Sequence, residues 1–222
     1  MDRIALATGN KGKLAEFGGY LETLKIKMFQ GPKLDFPPED GHDYSANALI
    51  KARFGAKEWN VPCVGEDSGI EVAGLNNLPG PWSARFAHFD DNVIAEGIKR
   101  RTLAGAQPRA GTNGNAKDAE NNNLILRLIQ DKKGDARFCR YVACVALAHP
   151  NGKVLYLTQA SVEGILLETP RGTTGFGFDP IVEFFDYPGR AVAELDMTEK
   201  NLVSHRGQAI QNLLRWLANH FA

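Results

Sequence analysis

The sequence predicts an α/β fold, and three stretches predict it. Arg3-Ile4-Ala5-Leu6-Ala7 is a short apolar run that passes through a glycine-containing turn into Leu14, Phe17, Leu21 and Leu24, so strand spacing gives way to helical spacing. Residues 138–148 are dense in β-branched, aromatic and small side chains. They run through Pro150-Asn151-Gly152-Lys153, a hairpin turn signal, into a second such run at 154–158. Near the end, Ile210, Leu213, Leu214, Leu217 and Phe221 fall on one stripe, the mark of an amphipathic helix docked on a core.

The composition bounds the function. The 222 residues are 43% hydrophobic and 23% charged, enough for one generous core, read as one domain with two lobes spanning residues 1–222. Lys plus Arg balances Asp plus Glu at 26 each, so the chain lacks the electrostatic footprint of a nucleic-acid or membrane-surface binder, and any anion must be held locally. Three cysteines form no CxxC pair and are expected as buried thiols of a reducing compartment. Without a membrane-length apolar run or a basic-then-apolar leader before the first strand, the expected location is the cytoplasm.

After the first strand, Thr8-Gly9-Asn10-Lys11-Gly12-Lys13 opens the first helix. Strand, basic turn and helix in that order can aim backbone N–H groups and two lysines at one point, which suits a phosphate chain. It is not a Walker loop, because the glycine spacing is too short and Leu14 stands where Ser or Thr is needed. Residues 25–29 read as a second strand. The segment 30–43 reads as an exposed loop carrying Glu39, Asp40 and Asp43, one of which would reach a metal if the loop folds over it. Ser45 is expected to cap a helix over 46–59.

Residues 61–64 read as a buried strand ending in Gly65-Glu66-Asp67-Ser68-Gly69. Two adjacent carboxylates beside a hydroxyl, at a strand end, make a hard oxygen-rich site suited to magnesium, and one of them can orient a water. A solvated acidic turn would read the same way. Residues 75–85 are too broken by Asn, Pro and Gly for an element. A helix follows over 91–104, then a glycine-rich flexible segment over 104–118, then a helix over 119–129.

The hairpin is expected to extend through residue 165. Residues 169–180 interleave Phe176 and Phe178 with glycines and Asp179. Such a loop either stacks a flat base, with Asp179 accepting from a ring N–H, or plugs the core with its two rings. Asp196-Met197-Thr198-Glu199 has capping-box spacing, and Ser204 is placed to cap the terminal helix. His205 and Arg206 then occupy the first turn, where a cation is mildly unfavourable unless it meets an anion or a carbonyl. Lys200 reads as a solvated surface lysine.

Taken together these stretches resemble the inosine triphosphate pyrophosphatase family, which hydrolyses non-standard purine nucleoside triphosphates such as ITP, dITP and XTP. The resemblance is carried by Thr8 to Lys13, by Glu66-Asp67-Ser68-Gly69 with Leu78-Pro79-Gly80-Pro81 and Ser83-Ala84-Arg85, by Gly175-Phe176-Gly177-Phe178-Asp179-Pro180, and by Glu199-Lys200-Asn201 with Ser204-His205-Arg206. It implies a long mixed β-sheet flanked by helices, two lobes with a central substrate cleft, and a homodimer.

By the same resemblance Thr8, Gly9, Asn10, Lys11, Gly12 and Lys13 would hold the triphosphate. Asp67 would be the catalytic acid residue and, with Glu39, the Mg2+ ligand, and Ser68 would touch substrate. Phe176, Gly177, Phe178 and Asp179 would form the base pocket, Lys200 would bind phosphate or base, and His205 with Arg206 would read the purine 6-oxo group. Glu66 replaces the Asp of many members, Ala46 replaces a frequent glutamate, and residues 88–118 are longer than usual. A nucleotide sensor without turnover and a pyrophosphatase for other modified nucleotides are the alternative readings.

Overall fold

Among the described residues, strand β1 (Arg3–Ala7) lies inside a seven-stranded sheet of order β2-β1-β3-β5-β6-β7, with β4 paired on β3. These are β2 (Lys27–Gln30), β3 (Cys63–Val72), β4 (Leu78–Pro79), β5 (Phe138–Ala148), β6 (Val154–Leu166) and β7 (Val182–Phe184). The structure is a computed structural model; it describes residues 3–8, 13, 17, 27–31, 34–39, 41–112 and 114–221, with the backbone alone at 27, 28 and 221. β1 pairs in parallel with β2 and β3, while β3–β4 and β6–β7 are antiparallel, so the sheet is mixed. The helices whose bounds lie among the described residues are α1 (Tyr44–Trp59), α2 (Asp91–Arg100), α3 (Asp118–Ile129), α4 (Met197–Val203) and α5 (His205–Phe221).

The chain divides into two compact units, and the divisions fall within β3, β5, β6 and α4. The first comprises residues 1–68, 143–161 and 201–222. Its core joins Ile4 and Leu6 of β1, Val64 of β3, and Ala143, Val145 and Leu147 of β5 to Ala209, Ile210, Leu213 and Leu217 of α5. These α5 residues follow the helical period, so Ile210, Leu213 and Leu217 of the expected stripe are withdrawn from water, while Leu214 is half-buried and the side chain of Phe221 lies outside the described residues. On the other side of β3, α1 lies so close that a Cβ at Gly65 would collide with Ala48 O and Ala52 N. Only a residue without a side chain permits that approach.

The second unit comprises residues 69–142 and 162–200. There the Ser83 hydroxyl accepts from the Ile70 N–H at 2.9 Å and tethers the 3₁₀ segment Gly80–His88, which the sequence reads as irregular, beside β3. Asn121 of α3 accepts from Ala87 N–H and donates to Ala84 O. The described residues of 104–117 have no helix or strand and are held by Arg109, whose N–H donates to His88 O, and by Ala116, whose N–H donates to Ala84 O; Asp118 already begins α3. Among the described residues no helix is long and apolar enough to cross a membrane.

Local expectations meet three corrections. The acids at 66 and 67 are not in a turn at a strand end, because β3 continues unbroken through them to Val72. The cap of α1 is Asp43, whose carboxylate accepts from Ala46 N–H at 2.8 Å, while Ser45 lies inside the helix and donates to Asp43 instead. Helix α2 stops at Arg100 rather than 104, with Arg101 in the left-handed region. The expected helix from Leu14 to Leu24 lies outside the described residues apart from Phe17, which is helical, as is Lys13 before it.

Candidate active site

The pleat of β3 sorts its side chains between two helices. Val64 joins the α5 core and Gly65 faces α1, so alternation sends Glu66 toward α5 and Asp67 toward α1. Asp67 Oδ2 accepts from Asn47 Nδ2 at 3.0 Å, and Oδ1 accepts from Lys51 Nζ at 3.1 Å. Asn47 and Lys51 are four apart on α1 and share its buried stripe with Ala48, Ala52 and Gly55. Lys51 Nζ also lies 3.1 Å from Glu39 Oε2, so the loop before α1 does bring Glu39 to the acidic centre.

Burial pushes the Asp67 carboxyl up, to about 6; the charges of Glu39 and Glu66 push the same way, against Lys51 and Lys13. For Lys51 burial acts downward, but Asp67, Glu39 and Glu66 together outweigh it and hold the ammonium above its ordinary value. Glu39 is pushed up by burial and pulled further down by the charge and hydrogen bond of Lys51, ending below the usual range. An Asp raised toward neutrality and oriented through both oxygens is a competent proton acceptor.

Toward α5, Glu66 Oε2 lies 2.6 Å from Lys13 Nζ and Oε1 accepts from Arg206 Nε at 3.1 Å. Burial pushes Glu66 up, yet Lys13, Arg206 and Lys51 outweigh it and hold the carboxyl far below the usual range. Arg206 Nη2 donates to Ser68 Oγ at 2.9 Å. Ser204 caps α5 through Oγ and the Gly207 N–H, which places buried His205 and Arg206 in the first turn as expected. Thr8 follows the end of β1, and its carbonyl accepts from Gln30 Nε2. Gly9, Asn10, Lys11 and Gly12 lie outside the described residues.

The second unit holds the other cluster. Lys200 is buried rather than solvated, because Asp179 Oδ2 lies 2.6 Å from its ammonium and the Phe176 ring lies under it, 4.4 Å to the centroid. The same Oδ2 accepts from the Phe176 N–H at 2.9 Å, and Tyr141 O–H approaches Oδ1 at 3.4 Å. The carboxylate thus ties its own loop to Lys200 and Tyr141. A Cβ at Gly175 would collide with Asp179 Oδ2, and Gly175 also has positive φ, so glycine is required there. Gly177 donates to Asp118 at 2.6 Å and accepts from Asn122 Nδ2 at 3.0 Å, both on α3. The two aromatics divide the two sequence readings: Phe178 is buried as a plug, and Phe176 is half-exposed.

The residues sequence reasoning missed are Asn47, Lys51 and Tyr141. Polar residues on the buried stripe of α1 were the available signal for the first two, while nothing local marks Tyr141. Among the described residues no group of three or more His, Cys, Asp or Glu is gathered as a metal centre. Glu39 and Asp67 are the hard oxygen donors at hand, and a pair of carboxylates suits a cation that keeps several waters.

Residues 4–216 match the model of the Ham1 family. The chain belongs to the Ham1 family. A dITP/XTP pyrophosphatase of Thermus thermophilus is 35% identical over 96% of this chain and 90% of the relative. One of Halorhodospira halophila is 35% identical over 99% of each. A solved HAM1 protein from Coxiella burnetii superposes with TM-score 0.76 at 33% identity, covering 99% of this chain and 100% of that one. This Ham1-family chain therefore shares both sequence and architecture with such relatives over nearly its whole length.

Proposed function

We propose that the chain hydrolyses non-standard purine nucleoside triphosphates, ITP, dITP and XTP, to the nucleoside monophosphate and pyrophosphate, cleansing the nucleotide pool. It is a hydrolase of the nucleoside-triphosphate pyrophosphatase class, as its family and its pyrophosphatase relatives support. The single observation that carries the mechanism is buried Asp67, gripped through both oxygens by Asn47 and Lys51 and raised to about 6.

Asp67 takes the proton of a water as its oxygen bonds to the α-phosphorus, and the bond from the α-phosphorus to the bridging oxygen breaks to release pyrophosphate. Lys13 and the turn from Thr8 through Gly9, Asn10, Lys11 and Gly12 bind the phosphates, with Ser68 at their edge. Glu39 and Asp67 are the residues that would hold Mg2+, which would neutralise phosphate charge. In the second unit the Phe176 ring, held by Asp179 and Lys200, offers a flat face to a base, with Gly177 and Phe178 shaping the loop. His205 and Arg206 present donors to a 6-oxo group, where the amino group of adenine would leave a buried guanidinium donor unmatched. The enzyme is read as a cytoplasmic homodimer that takes neither nucleic acid nor membrane as partner.

Pyrophosphate release from ITP, XTP, dITP, GTP, ATP and dTTP, with and without magnesium, tests this. Magnesium-dependent release confined to ITP, XTP and dITP is expected. Binding without release would make the chain a nucleotide sensor, and equal release from ITP and dTTP would overturn the purine assignment.

A further inference from the structure

Glu66 is a buried acid that the proposed chemistry leaves without a task. Its two oxygens are divided between cations far apart in the chain, helical Lys13 and Arg206 in the first turn of α5. Both contacts lie within the first unit, and the Glu66 side chain is 1% exposed against 16% for Lys13 and 4% for Arg206. Arg206 spends a second nitrogen on Ser68.

We propose that Glu66 is a positioning residue that couples Lys13 to Arg206, so that phosphate engaged at Lys13 tightens the hold on the guanidinium that meets the base. This rests on the reading above that Lys13 meets the triphosphate and Arg206 the 6-oxo group. The physical reason is charge sharing. With no phosphate, one carboxylate answers two cations. A phosphate drawing on the exposed edge of the Lys13 ammonium leaves the Glu66 charge to Arg206, in a buried place where a charge-assisted bond is strong. The planar guanidinium, already fixed at Ser68, then loses its freedom to turn toward an ill-matched base. A glutamate spans both cations; an aspartate, one methylene shorter, would stand further from at least one of them.

The test uses the full chain, wild type and Glu66→Gln, with tripolyphosphate and inosine as probes of the two ends. Glutamine keeps the size of the side chain and an acceptor for Arg206 Nε but has no charge to pass between cations. In calorimetric titration each probe should tighten the other in the wild type by about fivefold or more. In Glu66→Gln both should bind with that factor reduced to one. In parallel, the kcat/KM preference for ITP over ATP should fall by a similar factor in Glu66→Gln, chiefly through KM. Glu66→Asp, which keeps the charge, should retain part of the preference and serves if the glutamine variant does not fold.

An unchanged factor in the variant, independent binding in the wild type, or equal losses on ITP and ATP would each reduce Glu66 to an ordinary buried ion pair and overturn the coupling. A wild type that binds neither probe and releases no pyrophosphate from ITP would instead sink the assignment of Lys13 and Arg206, and the coupling with it.

Discussion

Lys51 Nζ stands 3.1 Å from Asp67 Oδ1 while holding Glu39 Oε2 at the same distance, so one buried ammonium answers two carboxylates. Removing one partner of a buried ionic group leaves uncompensated charge, and Lys51→Met should lower stability by about 3–5 kcal/mol. The urea midpoint would report this at unchanged slope. Magnesium chloride should raise the midpoint of the variant more than that of the wild type, since a divalent cation takes over the neutralisation. A variant as stable as the wild type would show that the two acids need no counter-ion.

Asp67→Asn removes a charge and little volume. Because burial already opposes that charge, the fold should survive, with an unfolding midpoint close to that of the wild type. Pyrophosphate release should fall by about 10²–10⁴-fold, the usual worth of a general base. Activity retained in the presence of magnesium would transfer the role to Glu39 or Glu66.

Gly65→Ala tests how closely α1 is seated. The added methyl meets backbone atoms of Ala48 and Ala52, which cannot rotate away, so the helix must move. Overpacking of this kind should destabilise by about 1–3 kcal/mol. Turnover should fall as well, because Asn47 and Lys51 travel with α1. Unchanged kcat together with a lowered midpoint would separate the helix position from the chemistry.

Asp179→Asn removes the carboxylate that lies 2.6 Å from the buried Lys200 ammonium. Stability should fall by about 3–5 kcal/mol, and Asp179→Asn combined with Lys200→Met should recover part of the loss. For ITP, KM should rise more than kcat falls, since the Phe176 loop loses its anchor while Asp67 is untouched. A kcat effect without a KM effect would contradict the loop's assignment to the base.

Asp43 gives a pH signature. Its carboxyl is held below the usual range by accepting first from the Ser45 hydroxyl, at 2.6 Å, and then from the Ala46 N–H. A group with a depressed folded pKa stabilises above its unfolded pKa, and that contribution is lost as pH falls through the folded value. Asp43→Ala should therefore destabilise by about 1 kcal/mol at neutral pH. The gap should close below about pH 4, the ordinary aspartate range. Urea titrations across that range would read it, and a gap independent of pH would mean that the charged cap is not the cause.

What the sequence alone determined is local. The hairpin at 150–153, the stripe of α5, the Ser204 cap and the reciprocal bonds between Asp196 and Glu199 each depend on residues a few positions apart, whose geometry backbone periodicity dictates. Asp67 and the Phe176 loop were legible as candidates because their unusual residues are contiguous. The error at β3 has the same root: glycines that locally signal a turn are there for close packing against α1 and the 3₁₀ segment, a requirement set by distant chain. Only tertiary structure decided that Lys51 and Asn47 address Asp67, that Lys200 is buried on Asp179, and that Glu66 joins Lys13 to Arg206. A charged side chain is withdrawn from water only when a partner far along the chain compensates it, and spacing along one segment carries no record of that partner.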